Sequence, residues 1–91
     1  MAQIEIYTKG YCPHCKAAKQ TLTAKGLTFR EFDVTDDDEL LNEMLRRSER
    51  KTVPQIFVGK VHIGGNQDLM DAIKAGEFER VLQAQGIKRR S

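Results

Sequence analysis

The chain has 91 residues, of which 40% are hydrophobic and 31% are charged, and its formal net charge is +2. This length and composition predict one globular domain over residues 1–91, near the lower limit at which a domain buries its own core, and they argue against a disordered chain. The small net charge gives no reason to expect nucleic acid as a partner, and no segment is long and apolar enough to cross a membrane.

The first part of the chain predicts a strand, a helix and a second strand. The segment QIEIYT alternates apolar and polar residues, which is typical of a short strand. A helix should begin at the two cysteines and run to Lys25, with Gly26 as its stop. The segment LTFREFDV alternates again and predicts the second strand.

A second helix and a hairpin follow. In DDDELLNEMLRRS, Asp36 and Glu39 have the spacing of a capping box, and the leucines with Met44 form an apolar stripe. The runs PQIFVG and KVHIGG are short and apolar and meet near Gly59, so they predict two antiparallel strands.

The end of the chain predicts two more helices, NQDLMDAIKA and EFERVLQAQ, on either side of Gly76. The basic residues after them fall in a segment, 86–91, that we expect to be a frayed tail. The complete order is that of a thioredoxin fold, an α/β domain with a four-stranded mixed sheet (β-α-β-α-β-β-α plus a C-terminal helix). Its first two strands should be parallel, because a helix connects them.

The amino terminus, MAQIEIYTKG, lacks the basic and long apolar regions of a signal peptide, so we expect a cytoplasmic protein. In that compartment a structural disulfide is uncommon, and a close pair of cysteines is more often catalytic or metal-binding. The chain has two cysteines, Cys12 and Cys15, in the segment GYCPHCK.

The spacing of these cysteines gives them different roles. Pro13 suits the first turn of a helix, which places Cys12 at the amino end and Cys15 one turn later on the same face. Free N–H groups and the partial positive charge of the helix end favour a thiolate at Cys12. Cys15 lies inside the helix and should be more buried. We therefore expect Cys12 to attack a disulfide and Cys15 to resolve the mixed disulfide that forms.

A zinc site is the weaker alternative. A structural zinc ion normally needs four ligands, and C-x-x-C supplies two. The remaining candidates, His14 and His62, are scattered and do not form a second paired motif. We expect no metal site.

Three segments, YTKGYCPHC, KTVPQIFVG and HIGGNQD, together resemble the glutaredoxins, in particular the small bacterial dithiol type with C-P-x-C. The resemblance extends from Ile4 to about Leu82. It implies the thioredoxin fold and the glutathione-dependent reduction of disulfides and of protein–glutathione mixed disulfides. Glutathione would be the cosubstrate, the partners would be glutathionylated or disulfide-containing proteins, and the protein would act as a monomer.

The resemblance also implies a glutathione site. Lys9 and Gln55 would bind a glutathione carboxylate, with a polar position on the solvent face of a strand as the alternative role of Gln55. Val53 would pair with the glutathione backbone through its peptide groups, exposed by a cis bond to Pro54. Asp68 would bind the glutamyl ammonium group. The implied set is Lys9, Tyr11, His14, Thr52, Val53, Pro54, Gln55, Gly65, Asn66, Gln67 and Asp68.

Several members of that set also have a structural alternative. The N–H groups that follow Gly65 can bind the glutamyl carboxylate, and Asn66 would cap the helix there. Tyr11 can equally pack against the cysteines. His14 would either place a positive charge near Cys12 or only shield it. Gln67 departs from the small or acidic residue of many relatives, which leaves its role open.

A second hypothesis is an iron–sulfur protein, because members of this family can hold a cluster between two subunits through the first cysteine and glutathione thiolates. Members with that role mostly have C-G-F-S, whereas Pro13 and Cys15 here favour redox cycling. A thioredoxin is disfavoured, because thioredoxins typically have W-C-G-P-C and this chain has no tryptophan.

Overall fold

The structure, a computed structural model, is described over residues 3–87. Within this range four strands and four helices follow one another. They are β1 (Ile4–Thr8), α1 (Pro13–Ala24), β2 (Arg30–Asp33), α2 (Asp38–Ser48), β3 (Gln55–Val58), β4 (Val61–Gly64), α3 (Asn66–Lys74) and α4 (Glu77–Ala84).

The strands form one mixed sheet with the order β2-β1-β3-β4. β1 is parallel to β2 and antiparallel to β3, and β3 and β4 form the antiparallel hairpin. The predicted thioredoxin fold, with its parallel first pair of strands, is confirmed. This order places β1 and β3 in the centre, so the segments that follow β1 and precede β3 lie side by side.

The alternation in β1 and β3 divides the core between two hydrophobic clusters. Ile4 and Ile6 of β1 belong to the larger cluster, which α1, α3 and α4 complete with Leu22, Leu69 and Phe78. Tyr7 belongs to the smaller cluster, which also holds Val34, Met44, Phe57 and, at its margin, side chains of α2. Successive side chains of a strand point to opposite faces, so one strand supplies both clusters.

Three predicted boundaries are wrong. The N-cap of α2 is Asp37 and not Asp36, since the Asp37 side chain accepts the Leu40 N–H at 3.0 Å. The N-cap of α3 is Gly65 and not Asn66, which is the first helical residue. The second strand is shorter than predicted, because only residues 30–33 pair with β1.

The predicted frayed tail is only partly within the described residues. Ile87 packs against the larger hydrophobic cluster, and its N–H donates to the carbonyl of Leu82 at 2.9 Å. Residues 88–91 lie outside the described range.

The phenol of Tyr7 is fully buried and joins β1 to α2. Its hydroxyl donates to the Glu43 carboxylate at 2.6 Å and accepts from Arg47 at 2.8 Å. Arg47 also pairs with Glu5 at 3.0 Å, and its guanidinium lies 4.0 Å from the centroid of the Phe57 ring. Burial, with the Glu43 hydrogen bond, raises the pKa of Tyr7 from 10.0 to about 12.

This shift predicts a loss of stability at alkaline pH. The folded state holds the Tyr7 proton more tightly than the unfolded chain does. The contribution is therefore complete below the ordinary tyrosine pKa of 10.0 and is lost as pH rises through about 12. The expected contribution is about 2 to 3 kcal/mol. Urea unfolding between pH 8 and 12 would measure it, with Tyr7→Phe as the matched variant. An equal alkaline slope in both proteins would contradict this assignment.

Candidate active site

Cys12 lies at the amino end of α1 as its N-cap residue. Its backbone is extended (φ −147°, ψ 105°), and Pro13 occupies the first turn, where no N–H donor is required. The N–H of Cys15 donates to the Cys12 sulfur at 3.3 Å. Cys12 is partly exposed and Cys15 is buried, so the predicted difference in accessibility between the two sulfurs is confirmed.

The opposite wall of the site is the segment that leads into β3. The Cys12 thiol donates to the carbonyl of Val53 at 3.8 Å. The Val53–Pro54 peptide bond is cis, as the resemblance implies, and Pro54 is buried. The backbone of Val53 thus directly faces the accessible sulfur.

Burial raises the pKa of the Cys15 thiol well above its ordinary value. The hydrogen bond with Cys12 acts in the same direction, whereas a hydrogen bond from the backbone of Lys9 partly opposes it. Cys15 is consequently a protonated thiol at neutral pH. It becomes a nucleophile only when a base or a structural change removes its proton.

We expect alkylation to distinguish the two thiols in the folded, reduced protein. At neutral pH iodoacetamide should modify Cys12 and leave Cys15 unmodified, because Cys15 is 2% exposed and its pKa is raised. Peptide mass spectrometry after a short exposure would measure both sites. Unfolding in guanidinium should make the two rates similar, and equal rates in the folded protein would contradict this description.

The amino end of α3 provides a second group of polar atoms, and Gly65 there lies close to the carbonyl of Pro54. The Asp68 carboxylate accepts the Gly65 N–H at 2.9 Å and pairs with Arg50 at 2.8 Å. The Arg50 hydrogen bond, together with that from Gly65, lowers the pKa of Asp68. Gly64 has φ +118°, and a Cβ atom there would overlap the Asp68 carboxylate, so this turn requires glycine.

Gln55 is the predicted binding residue whose position differs most from expectation. Its side chain is fully buried (0% exposed), so the alternative that it occupies the solvent face of a strand is wrong. The amide nitrogen donates to the carbonyl of Thr52 at 2.9 Å and to the Thr52 hydroxyl at 3.2 Å. The amide oxygen lies 2.7 Å from Nε2 of His62.

Comparison with known proteins decides the family. A family model described as glutaredoxin matches residues 4–63, more than half of the chain. The chain belongs to the glutaredoxin family. The resemblance carried by the three sequence motifs is confirmed, and the C-P-x-C cysteines make this protein a dithiol glutaredoxin. Glutaredoxins are thiol oxidoreductases.

Similar glutaredoxins occur in several bacteria. Glutaredoxin 3 of Escherichia coli K12 is 43% identical over 83 residues, which cover 91% of this chain and 100% of the relative. Glutaredoxin of Pseudomonas aeruginosa is 40% identical over 84 residues, with coverage of 92% and 100%. The solution structure of Brucella melitensis glutaredoxin has a TM-score of 0.77 and 44% identity, and the match covers 90% of this chain and 89% of that one.

The residues that this glutaredoxin was predicted to use lie on two sides of Cys12. Thr52 and Val53 lie on the β3 side, where Arg50 and Asp68 link the preceding loop to α3. Lys9 and Tyr11 lie on the other side, in a cleft along α1. That cleft is lined by Lys9, Gly10, Tyr11, Cys12, Pro13, Cys15, Lys16 and Lys19.

Three other predicted residues lie on the first turns of α1 and α3. His14 is exposed on the first turn of α1. Gln67 donates to Asp71 at 3.0 Å within its own helix. The amide oxygen of Asn66 is buried and is without a hydrogen-bond partner among residues 3–87.

Sequence reasoning missed two residues of this glutaredoxin's site region. Arg50 lies outside the implied set of site residues, and His62 was considered only as a zinc ligand. The signal for Arg50 is its position two residues before T-V-P, which brings it to Asp68. His62 has no local signal, because its partner Gln55 lies on the neighbouring strand.

Two kinds of feature are absent from the part of the chain that the structure describes. Across residues 3–87 no group of three or more histidine, cysteine, aspartate or glutamate side chains could hold a metal ion. In the same range no helix has the length and apolar character needed to cross a bilayer.

Proposed function

We propose that this glutaredoxin is a glutathione-dependent oxidoreductase that reduces protein–glutathione mixed disulfides and protein disulfides in the cytosol. The observation that carries the proposal is the asymmetry of its two thiols. Cys12 is partly exposed at a helix terminus, and Cys15 is buried one turn behind it with a raised pKa. Reduction by glutathione requires a compartment in which glutathione is kept reduced, and the cytosol is such a compartment.

With a glutathione mixed disulfide, the Cys12 thiolate attacks the glutathione sulfur. A bond forms between Cys12 and glutathione, the original disulfide bond breaks, and the substrate leaves as a thiolate. A second glutathione, as thiolate, then attacks the glutathione sulfur on Cys12. Oxidised glutathione forms and the Cys12 thiolate is regenerated, so this route requires one protein thiol.

With a protein disulfide, the Cys12 thiolate forms a mixed disulfide with one substrate sulfur and releases the other as a thiolate. Cys15 loses its proton and attacks the Cys12 sulfur, which releases the reduced substrate and leaves a Cys12–Cys15 disulfide. Two glutathione molecules then reduce that disulfide and become oxidised glutathione. This route requires both thiols.

The proposed glutathione site lies on the β3 side of Cys12. The peptide groups of Val53 are next to the Cys12 sulfur and suit the extended backbone of a bound tripeptide. The N–H groups that open α3 after Gly65 suit a carboxylate, and the Asp68 carboxylate suits an ammonium group. Thr52, Pro54, Asn66 and Gln67 would line the same site. Lys9, Tyr11 and His14 would contact the glutathione or substrate from the α1 side.

The decisive experiment is turnover of a small glutathione mixed disulfide with glutathione as reductant and glutathione reductase with NADPH as the reporter. We expect saturable turnover with that system and little turnover when thioredoxin reductase and NADPH replace it. A preference for the thioredoxin reductase system would overturn the proposal. An anaerobically purified protein with visible absorbance from an iron–sulfur cluster, and no turnover, would support the cluster-binding alternative instead.

A further inference from the structure

A hydrogen-bonded chain with the buried side chain of Gln55 at its centre connects the edge strand β4 to the loop that faces Cys12. Gln55 is its centre, at the start of β3, and is 0% exposed. A buried amide is costly unless its donors and acceptor are satisfied. Here the nitrogen donates to both Thr52 oxygens and the oxygen accepts from His62.

The orientation of the Gln55 amide follows from its partners. The carbonyl of Thr52 can only accept a hydrogen bond, so the amide nitrogen must face Thr52. The amide oxygen then faces His62, whose Nε2 must carry a proton to donate across 2.7 Å. Protonation of the other ring nitrogen would leave this hydrogen bond intact.

The ring of His62 is held from a second side. It stacks on Phe57 with 4.8 Å between ring centroids and 28° between ring planes. Burial lowers the pKa of His62, and the positive charges of Arg50 and Arg47 lower it further. The negative charge of Asp68 partly opposes them. The imidazole is therefore a neutral, fixed donor at neutral pH.

The other end of this hydrogen-bonded chain, Thr52, is next in sequence to the residue that contacts the reacting sulfur. Thr52 directly precedes Val53, and the Val53 carbonyl is the group that accepts from Cys12. Thr52 itself is exposed, so packing alone does not fix its carbonyl. The Gln55 amide is the contact that ties this end of the loop to the sheet.

We propose that Gln55 and His62 are positioning residues, which hold the Thr52–Val53 segment in the orientation that binds the glutathione backbone beside Cys12. Gln55 acts from inside the protein and does not itself contact the ligand. His62 fixes the amide of Gln55 and the amide fixes Thr52. This inference rests on the proposed function and assigns roles to two residues within that site.

The test compares three single variants by steady-state kinetics on a small glutathione mixed disulfide. Gln55→Leu removes the amide at similar volume, and His62→Phe keeps an aromatic ring against Phe57 but removes the donor. Both variants should raise the KM for the mixed disulfide about fivefold or more, because ligand binding is weakened. The kcat and the rate of Cys12 alkylation should stay nearly unchanged, because the nucleophile is intact. The control is Tyr7→Phe, which removes a buried hydrogen-bonded hydroxyl on α2's side of the sheet.

Two further variants separate positioning from general stability. His62→Gln supplies an N–H at the place of Nε2. It should therefore recover part of the affinity for the mixed disulfide that His62→Phe loses. The double variant Gln55→Leu/His62→Phe should have nearly the KM of Gln55→Leu alone, because both changes break the same chain. Thermal unfolding of every variant would show how much stability each one loses.

The outcomes are distinguishable. An unchanged KM in Gln55→Leu and His62→Phe would overturn the inference, and so would an equal rise of KM in Tyr7→Phe. Absence of glutathione-dependent turnover in the native protein would overturn the proposed function and this inference with it. Native turnover combined with unchanged KM values in the variants would overturn this inference alone.

Discussion

Replacing Cys12 with serine should abolish reduction of both glutathione mixed disulfides and protein disulfides. A serine hydroxyl is a far weaker nucleophile than a thiolate at neutral pH, and its oxygen cannot form a disulfide. The remaining thiol, Cys15, cannot substitute, because it is 2% exposed and burial raises its pKa. Rates with both substrate types should fall to the uncatalysed background in the glutathione reductase assay.

The matched control for this variant is Cys15→Ser, which carries the same chemical change one helical turn away. Serine can keep the N-cap position of α1, where its oxygen can accept the N–H that Cys12 accepts now. The folded structure should therefore survive, as circular dichroism would verify. Turnover above background by folded Cys12→Ser would show that Cys15 can act as the attacking thiol and would contradict the role assignment.

Most of the fold could be predicted because it depends on local patterns. The alternation of QIEIYT fixes which β1 side chains enter each cluster, and the glycine between the last strands fits a hairpin turn. Pro13 after Cys12 fixes where α1 begins. These signals lie within a few residues of the elements that they determine, so they can be recognised without knowledge of the tertiary contacts.

The errors arose where several residues could serve the same purpose. Any of the three aspartates before α2 can cap a helix, and only the final backbone geometry selects Asp37. At α3 the sequence offers Asn66, a good cap, but the Asp68 carboxylate binds the N–H of Gly65 and moves the helix start back by one residue. Both choices depend on conformation and not on residue type.

Gln55 shows a different limit of sequence reasoning. A polar residue at the start of an apolar strand is normally placed toward solvent or a ligand. In this protein it is buried, because His62 on the neighbouring strand satisfies the amide oxygen and Thr52 satisfies the nitrogen. Recognition of such a residue requires the hairpin register, since the partner that makes burial possible is brought close only by the pairing of β3 with β4.

Replacing Cys15 with serine should separate the two reactions. Reduction of a small glutathione mixed disulfide should persist, because the external glutathione that completes it attacks the sulfur on Cys12 and needs no second protein thiol. Reduction of an intramolecular protein disulfide should fall by at least about tenfold, since resolution by a thiol held one turn away is intramolecular and strongly favoured over attack from solution.

The measurement is a pair of rates in one buffer, one with a small glutathione mixed disulfide and one with a protein disulfide substrate, for the native protein and for Cys15→Ser. Serine at position 15 can keep the hydrogen bond with the Lys9 backbone, so the variant should stay folded. A change in the ratio of the two rates then reports a change in chemistry and not unfolding. The protein substrate should also accumulate as a mixed disulfide with Cys12, visible by non-reducing electrophoresis, because its release now depends on glutathione. Equal loss of both rates would show that Cys15 supports the attack by Cys12 itself, and the assignment of attacking and resolving thiols would then fail.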